Sequence, residues 1–265
     1  MVFDTIDMPF LTASDLLVQG SLLILYGLQA LDEKGNVTPL GKKMANFPLD
    51  PAWACAVLAS QEYSCTAEVI RVVSFLSSTS KLLTEPPSEQ RESVAEVRSK
   101  FRHSSGDHLT LLNILQAYEE VRDGNGDMDT PSGKRAVKDW CQRHHINERA
   151  FTEANEIAKQ LVDACRHLGI DPTTSCKEDM DGVLKSILRG TFQNCALIRP
   201  DGTYQQIMSR LVCTSMHTVW INGAYDSVCI RTQPVKIHPS STLFGRKAPA
   251  IVYDELVRRP AMSST

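Results

Sequence analysis

The sequence predicts an α+β chain in three parts: a helix–turn–strand–helix unit, an almost wholly helical middle, and a small β-barrel. Three observations predict this. Apolar residues recur at helical spacing from Leu16 to Leu168. From Gly190 onward the period changes: Phe192, Tyr204, Val235, Ile237, Leu243, Phe244, Ile251, Val252 and Tyr253 lie in short runs broken by Gly, Pro and Asn. The chain has 265 residues and is 42% apolar, enough for one large domain or two to three small cores.

Leu16, Leu17, Leu22, Leu23, Leu25 and Leu28 make a first helix with a broad apolar face. Asp32-Glu33-Lys34-Gly35-Asn36 is turn chemistry, and Val37-Thr38 is a short extended piece. Pro39 then opens a second helix where a missing N–H costs nothing. That pattern is a winged-helix unit, assigned to 1–50. Asp50-Pro51 caps the start of a helical bundle assigned to 51–175.

Residues 52–58 form a small-residue, tightly packing helix, and Val69, Ile70, Val72, Val73, Phe75 and Leu76 fill the next. Val94, Val97 and Phe101 mark an amphipathic helix after Pro86-Pro87, and Leu109, Leu112, Leu115 and Tyr118 another. Ala154, Ile157, Leu161, Ala164 and Leu168 stripe the last. The stretch 124–138, rich in Gly, Asp, Ser and Lys, is expected as a solvated loop. Ser132-Gly133-Lys134 within it fails as a phosphate loop, because no glycine lies five residues before Gly133 and no buried strand precedes it. Residues 176–265 are assigned to the barrel.

The net charge of -3 exerts no global pull on polyanions, so any nucleic-acid contact needs a local basic face. No apolar run is long enough for a membrane span, and residues 1–10 lack a signal-peptide pattern. The eight cysteines show no C-x-x-C and no zinc spacing, so reduced, mostly buried thiols of an intracellular protein are expected, with no metal. Trp53, Phe75, Tyr118 and Trp140 sit in apolar helical stripes and read as core. The cluster Lys134, Arg135, Lys138 and Arg143 leaves Trp140 a lesser alternative as a stacking ring.

Four motifs in register resemble one family. Residues 31–35 with 40–45 and 47–51 resemble the winged-helix start of the helicase-associated region in DEAH-box RNA helicases. Residues 105–113 (Ser-Gly-Asp-His-Leu-Thr-Leu-Leu-Asn) look like its bundle motif, and Trp140-Cys141 with 146–150 like the next signature. His238-Pro239-Ser240-Ser241, Leu243-Phe244 and 252–256 are similar to its OB-fold end. The resemblance implies a winged helix, a ratchet-like bundle and an OB-like β-barrel. It also implies packing against two RecA-like helicase domains around a channel for single-stranded RNA, G-patch-type activators as further partners, and a nuclear or nucleolar setting. ATP and Mg belong to the motor domains. This chain has no G-x-x-x-x-G-K-[ST] and no D-E-A-H, so neither catalytic residues nor a cofactor are expected in it.

Two departures bear on the barrel. Residues 212–233 intervene where the family passes directly between strands, and read as an insertion or a retained intron. Residues 258–265 read as an unrelated tail, so the barrel is expected to be incomplete, with an exposed edge.

Two basic groups are the candidate RNA contacts. From Ser227 to Tyr253 there are four cations, among them Lys236, Arg246 and Lys247, and no acid. His238, Ser240 and Ser241 lie among them. A tight turn is their plain reading, and the family resemblance adds hydroxyl donors to phosphate. Arg98, Lys100 and Arg102, beside His103, form the second group, which reads equally as a solvated helix end. A rival reading is a protein-interaction adaptor built on the winged helix without RNA binding. A sequence-specific DNA reader is disfavoured, because 39–47 carries only Lys42 and Lys43.

Overall fold

Two residue pairs start the first packed helices in the same way. Thr38 Oγ accepts the Gly41 N–H at 3.0 Å ahead of Pro39, and Asp50 Oδ1 accepts the Ala52 N–H at 2.9 Å ahead of Pro51. Each cap satisfies one orphan amide, and each proline occupies a position whose N–H has no helical partner. The computed structural model describes residues 15–84, 86–124, 130–177, 179–207, 220–221, 224–225 and 234–254. They fall into two units, 1–190 and 191–265.

In the first unit, α1 (Asp15–Gly27) leads through an antiparallel Leu31–Val37 bridge to α2 (Pro39–Met44). Asp32 closes the turn between them: its Oδ1 accepts the N–H groups of Lys34 and Asn36, and Gly35 takes φ +82°. The expected helix, turn, extended piece and helix are all present.

Then follow α3 (Pro51–Ala59), α4 (Thr66–Leu76), α5 (Arg91–Ser99), α6 (Asp107–Gly124), α7 (Pro131–Arg143), α8 (Glu148–His167) and α9 (Asp181–Thr191). Helix α3 is the spine, with Ala54, Ala56 and Val57 fully buried. Because it offers small side chains, neighbours come in backbone to backbone. A Cβ at Gly190 would stand 2.0 Å from the Ala52 carbonyl oxygen of α3; away from α3, one at Gly41 of α2 would stand 2.3 Å from that of Ala30.

Around the spine, Val69, Val72 and Val73 of α4 and Leu161 and Cys165 of α8 are buried. Phe151 carries the packing outward, stacked on Tyr118 at 3.7 Å and edge-on to Phe75 at 5.2 Å. Trp140 and Tyr118 are buried as expected. Val97, expected on an apolar stripe, is instead 38% exposed, and α5 buries only Val94.

Two boundaries differ from expectation. The predicted loop 124–138 is helical from Pro131, because Thr130 Oγ accepts the Gly133 N–H at 3.2 Å and Pro131 starts the turn. The residues that read as loop chemistry are helix-start chemistry, and Val137, Trp140 and Cys141 supply the buried face. The boundary expected at 175/176 lies at 190/191. Helix α9 belongs to the helical unit, held by Gly190 on α3, the Cys65–Ser186 contact at 3.3 Å and the fully buried Val183. Glu68 anchors the connector before it, accepting from the Ser175 hydroxyl and, at 3.3 Å, from the Cys176 N–H.

In the second unit the described strands β1 (Cys195–Ile198), β2 (Tyr204–Gln206) and β5 (Ala250–Val252) form an antiparallel sheet of order β2-β1-β5. Asp201 builds the β1–β2 hairpin by accepting the Thr203 N–H at 2.9 Å, with Gly202 at φ +79°. Among the described residues the sheet is open, and no closed barrel is present. A separate antiparallel pair, β3 (Trp220–Ile221) and β4 (Ala224–Tyr225), lies within the predicted insertion 212–233. The rest of that insertion and the tail 258–265 lie outside the described residues. Phe192 and Leu243-Phe244 are expected in strands, but Phe192 lies in a 3-10 helix and Leu243-Phe244 in a turn.

The spine makes a direct prediction. Gly190→Ala forces a methyl group onto a carbonyl oxygen and is expected to cost about 2 kcal/mol or more. Gly20→Ala in α1, where a Cβ meets nothing within 4 Å, is expected to be stabilising by about 0.5–1 kcal/mol. Urea midpoints of the two variants, compared at constant slope, check both.

Candidate nucleic-acid interface

The C-terminal basic group is organised by a buried tyrosine. Tyr204, 3% exposed, exchanges both backbone hydrogen bonds with Val235 at 2.8 Å. Its hydroxyl donates to the Ala248 carbonyl at 3.0 Å and lies 3.5 Å from that of Arg246. One residue, through its backbone on one side and its hydroxyl on the other, thereby ties the segment carrying Lys236 to the segment carrying Arg246 and Lys247, and all three cations are exposed.

Between those segments, residues 238–246 form successive turns. His238 Nδ1 accepts the Ser240 N–H at 3.2 Å and lies 2.7 Å from the Ser240 hydroxyl. A nitrogen that accepts an amide proton carries none itself, so the neutral ring holds its hydrogen on Nε2. The Ser241 N–H donates to the His238 carbonyl at 3.0 Å, and Ser241 Oγ accepts the Leu243 N–H at 3.2 Å. His238 and Ser240 therefore make a turn rather than a nucleophile with its base. Gly245, at φ +79°, completes the bend and leaves Phe244 56% exposed.

The N-terminal group separates into two kinds of residue. Arg98 faces inward: its Nε donates to the His144 carbonyl at 2.9 Å, and its Nη2 donates to the carbonyls of Thr84 at 2.9 Å and His145 at 2.6 Å. The His144 and His145 carbonyls lie just past the end of α7, where helical partners run out, and Thr84 lies in the segment before α5. Arg98, predicted as an RNA contact, is corrected to a clamp that closes α7 onto the strand-like Leu83–Ile146 bridge. Lys100 and Arg102 stay exposed, with the Lys100 ammonium 4.9 Å above the Phe101 ring.

Lys100, Arg143 and Arg98 surround the buried His144 closely enough that their charges, after burial itself, hold its imidazole below the ordinary value. The ring lies 4.5 Å from Trp140 and its Nδ1 donates to the Trp140 carbonyl at 2.7 Å. Trp140 is therefore core, and its alternative as a stacking ring is excluded.

The residues 105–113 have a structural explanation too. Gly106 takes φ +125°, Thr110 Oγ accepts the His103 N–H at 2.9 Å, and the Asn113 amide donates to the Phe101 carbonyl at 3.0 Å. They hold the elbow between α5 and α6. Among the described thiols, burial raises Cys141 and Cys176 to about 12 and Cys165 to about 11, far from the reactive range. Among the described residues no cluster of three or more metal-ligating side chains occurs, and no helix is long and apolar enough to cross a membrane.

Comparison with known proteins matches residues 21–49 to the winged-helix part, and residues 50–111 to the ratchet-like part, of the helicase associated domain (HA2). The chain is 36% identical over 234 residues to the ATP-dependent RNA helicase DHX33 of Homo sapiens, covering 88% of this chain and 28% of that protein. It is 30% identical over 237 residues to the pre-mRNA-splicing factor ATP-dependent RNA helicase prp22 of Schizosaccharomyces pombe, covering 88% of this chain and 17% of that one. The chain belongs to the helicase-associated region of the DEAH-box RNA helicases.

It spans little more than a quarter, or less, of the length of these relatives. The junction of the two HA2 parts, between residues 49 and 50, falls at the Asp50-Pro51 helix start. In this helicase-associated region sequence reasoning missed two things. Phe244 was assigned to a strand although Gly245 after it was the available turn signal. Arg98 was assigned to the surface, and nothing in its flanking residues marks the carbonyls it reaches.

Two outcomes are expected from the α5–α7 clamp. Arg98→Ala removes the donor of the His144 and Thr84 carbonyls and one of three donors to the His145 carbonyl, and is expected to lower stability by about 2 kcal/mol, read from urea unfolding. His144 is neutral when folded and gains a proton more readily when unfolded. Its contribution is therefore complete above about pH 6.5 and declines as pH falls below that value. The stability difference between pH 7.5 and pH 5 is expected to shrink in His144→Gln relative to the parent.

Proposed function

We propose that this chain is the accessory region of an ATP-dependent RNA helicase, gripping single-stranded RNA and docking activators while RecA-like domains outside this sequence use ATP and Mg. The OB-like reading of the second unit belongs to the same proposal: the hairpin, the third strand and the turn segment 238–246 are the parts from which such a barrel would be built. The single observation that carries RNA gripping is the gathering of Lys236, Arg246 and Lys247 by Tyr204 in a stretch, 234–253, that holds no acid. In a chain of net charge -3, three exposed cations held by one buried anchor make a local site for phosphate. His238 Nε2–H and the serine hydroxyls offer neutral donors beside it. Lys100 and Arg102 are a separate candidate phosphate contact on the helical unit. RNA processing belongs to the same proposal, since one relative is named a pre-mRNA-splicing factor, and with it goes the nuclear or nucleolar setting expected from the family resemblance.

One observation favours a second reading, a protein-docking adaptor. On the winged-helix side, Phe47, Pro48, Leu49, Asp50, Trp53 and Ser77 line an open groove with no cation among them. Leu23 and Ile24 of α1 are also 39% and 40% exposed. Activator docking on this face is compatible with RNA gripping elsewhere, so the two readings differ only over the basic residues.

Fluorescence anisotropy with a 12-nucleotide RNA separates them. Binding is expected to weaken steeply with salt, and Lys236→Ala, Arg246→Ala and Lys247→Ala together are expected to flatten the slope of log K against log salt by about 2, from about 0.7 per phosphate contact. A slope that the triple variant leaves unchanged would sink RNA gripping and leave the adaptor.

A further inference from the structure

We infer that Phe244 is a base-stacking platform for single-stranded RNA, set between the cations that hold the phosphates. The inference rests on the RNA reading above and adds to it the residue that contacts bases. Adjacent residues in the turn have opposite fates: Leu243 is half-buried, whereas Phe244 is 56% exposed. Among the described residues Phe244 has no aromatic partner, unlike Phe75, Phe101 and Phe151, which all pair within the helical unit.

The presentation is built by the backbone. The Phe244 N–H donates to the Ser241 carbonyl at 3.1 Å, and the Arg246 N–H donates to that of Leu243 at 3.0 Å. Gly245 at φ +79° makes a reversal that a larger residue rarely adopts. The Tyr204 hydroxyl then holds the chain just beyond, at Ala248. The exposed phenyl ring, two and three residues before Arg246 and Lys247, presents an aromatic face within a cationic run.

The chemistry of those neighbours selects the ligand. An aromatic face beside guanidinium and ammonium groups, with the neutral Nε2–H of His238 in the same run of turns, matches a polymer that alternates flat bases with phosphates. Single strands offer both at once, whereas a duplex hides its base faces. An apolar protein segment would use the ring but gain nothing from the two cations.

The test compares a 12-nucleotide uridine RNA with an abasic RNA of equal length and charge, binding the whole 265-residue chain. The parent is expected to prefer the base-bearing RNA by roughly tenfold, the scale of a single stacked base. Phe244→Ala is expected to abolish that preference while keeping the salt slope, and Phe244→Trp to preserve it, with indole fluorescence quenched on binding. Because the ring is exposed, both variants should keep the parent's unfolding midpoint, which circular dichroism verifies. Salt-dependent binding with no preference between the two RNAs, or a preference that Phe244→Ala retains, overturns the platform alone. Absence of salt-dependent binding to either RNA overturns the RNA reading beneath it.

Discussion

The helical unit depends on how little side chain α3 puts between itself and its neighbours. With Ala54, Ala56 and Val57 fully buried, α9 closes directly on the Ala52 carbonyl through Gly190. The Gly41–Ala30 approach does the same for the start of α2. Close backbone packing of this kind removes rotamer freedom from the contact and leaves no volume to adjust, which is why it tolerates no added methyl group. The larger side chains act further out, where Phe151, Tyr118 and Phe75 fill the space between α4, α6 and α8.

Polar residues in this molecule mostly secure connections. Asp32, Asp50, Thr130 and Asn147 each accept amides at a turn or helix start, and Glu68 holds the connector ahead of α9. Thr110 and Asn113 fix the α5–α6 elbow. Motif residues that look functional by family resemblance thus have a local mechanical reason. The second unit differs, since the cations there lie exposed on a frame made by Tyr204.

Much of this was legible in the sequence, for identifiable reasons. The winged-helix start was readable because turn chemistry and a proline at the second helix are local signals. Helices α3, α4, α6 and α8 were readable because their apolar spacing persists over several turns. The start of α7 was hidden because Gly, Ser and Lys favour loops on average, whereas Thr130-Pro131 favours a helix start at one position. The fate of α9 depended on Gly190 meeting a residue far away in the chain, which no local window contains. In the candidate site, the cluster Lys236, Arg246 and Lys247 was visible as composition. Its gathering by Tyr204 was not, because that relies on pairing across the sheet. Among the described residues the sheet is open, whereas the family resemblance implies a barrel and the departures at 212–233 and 258–265 an incomplete one.

The geometry of Arg98 separates two properties that sequence comparison tends to merge. Its guanidinium reaches three carbonyl oxygens that point from different directions, using a planar group with several fixed N–H vectors. A lysine would carry the same unit charge on a single rotating tip and could not span that fan. Shape, more than electrostatic sign, is what this position demands, so a substitution scored as conservative by charge alone would unlatch the end of α7.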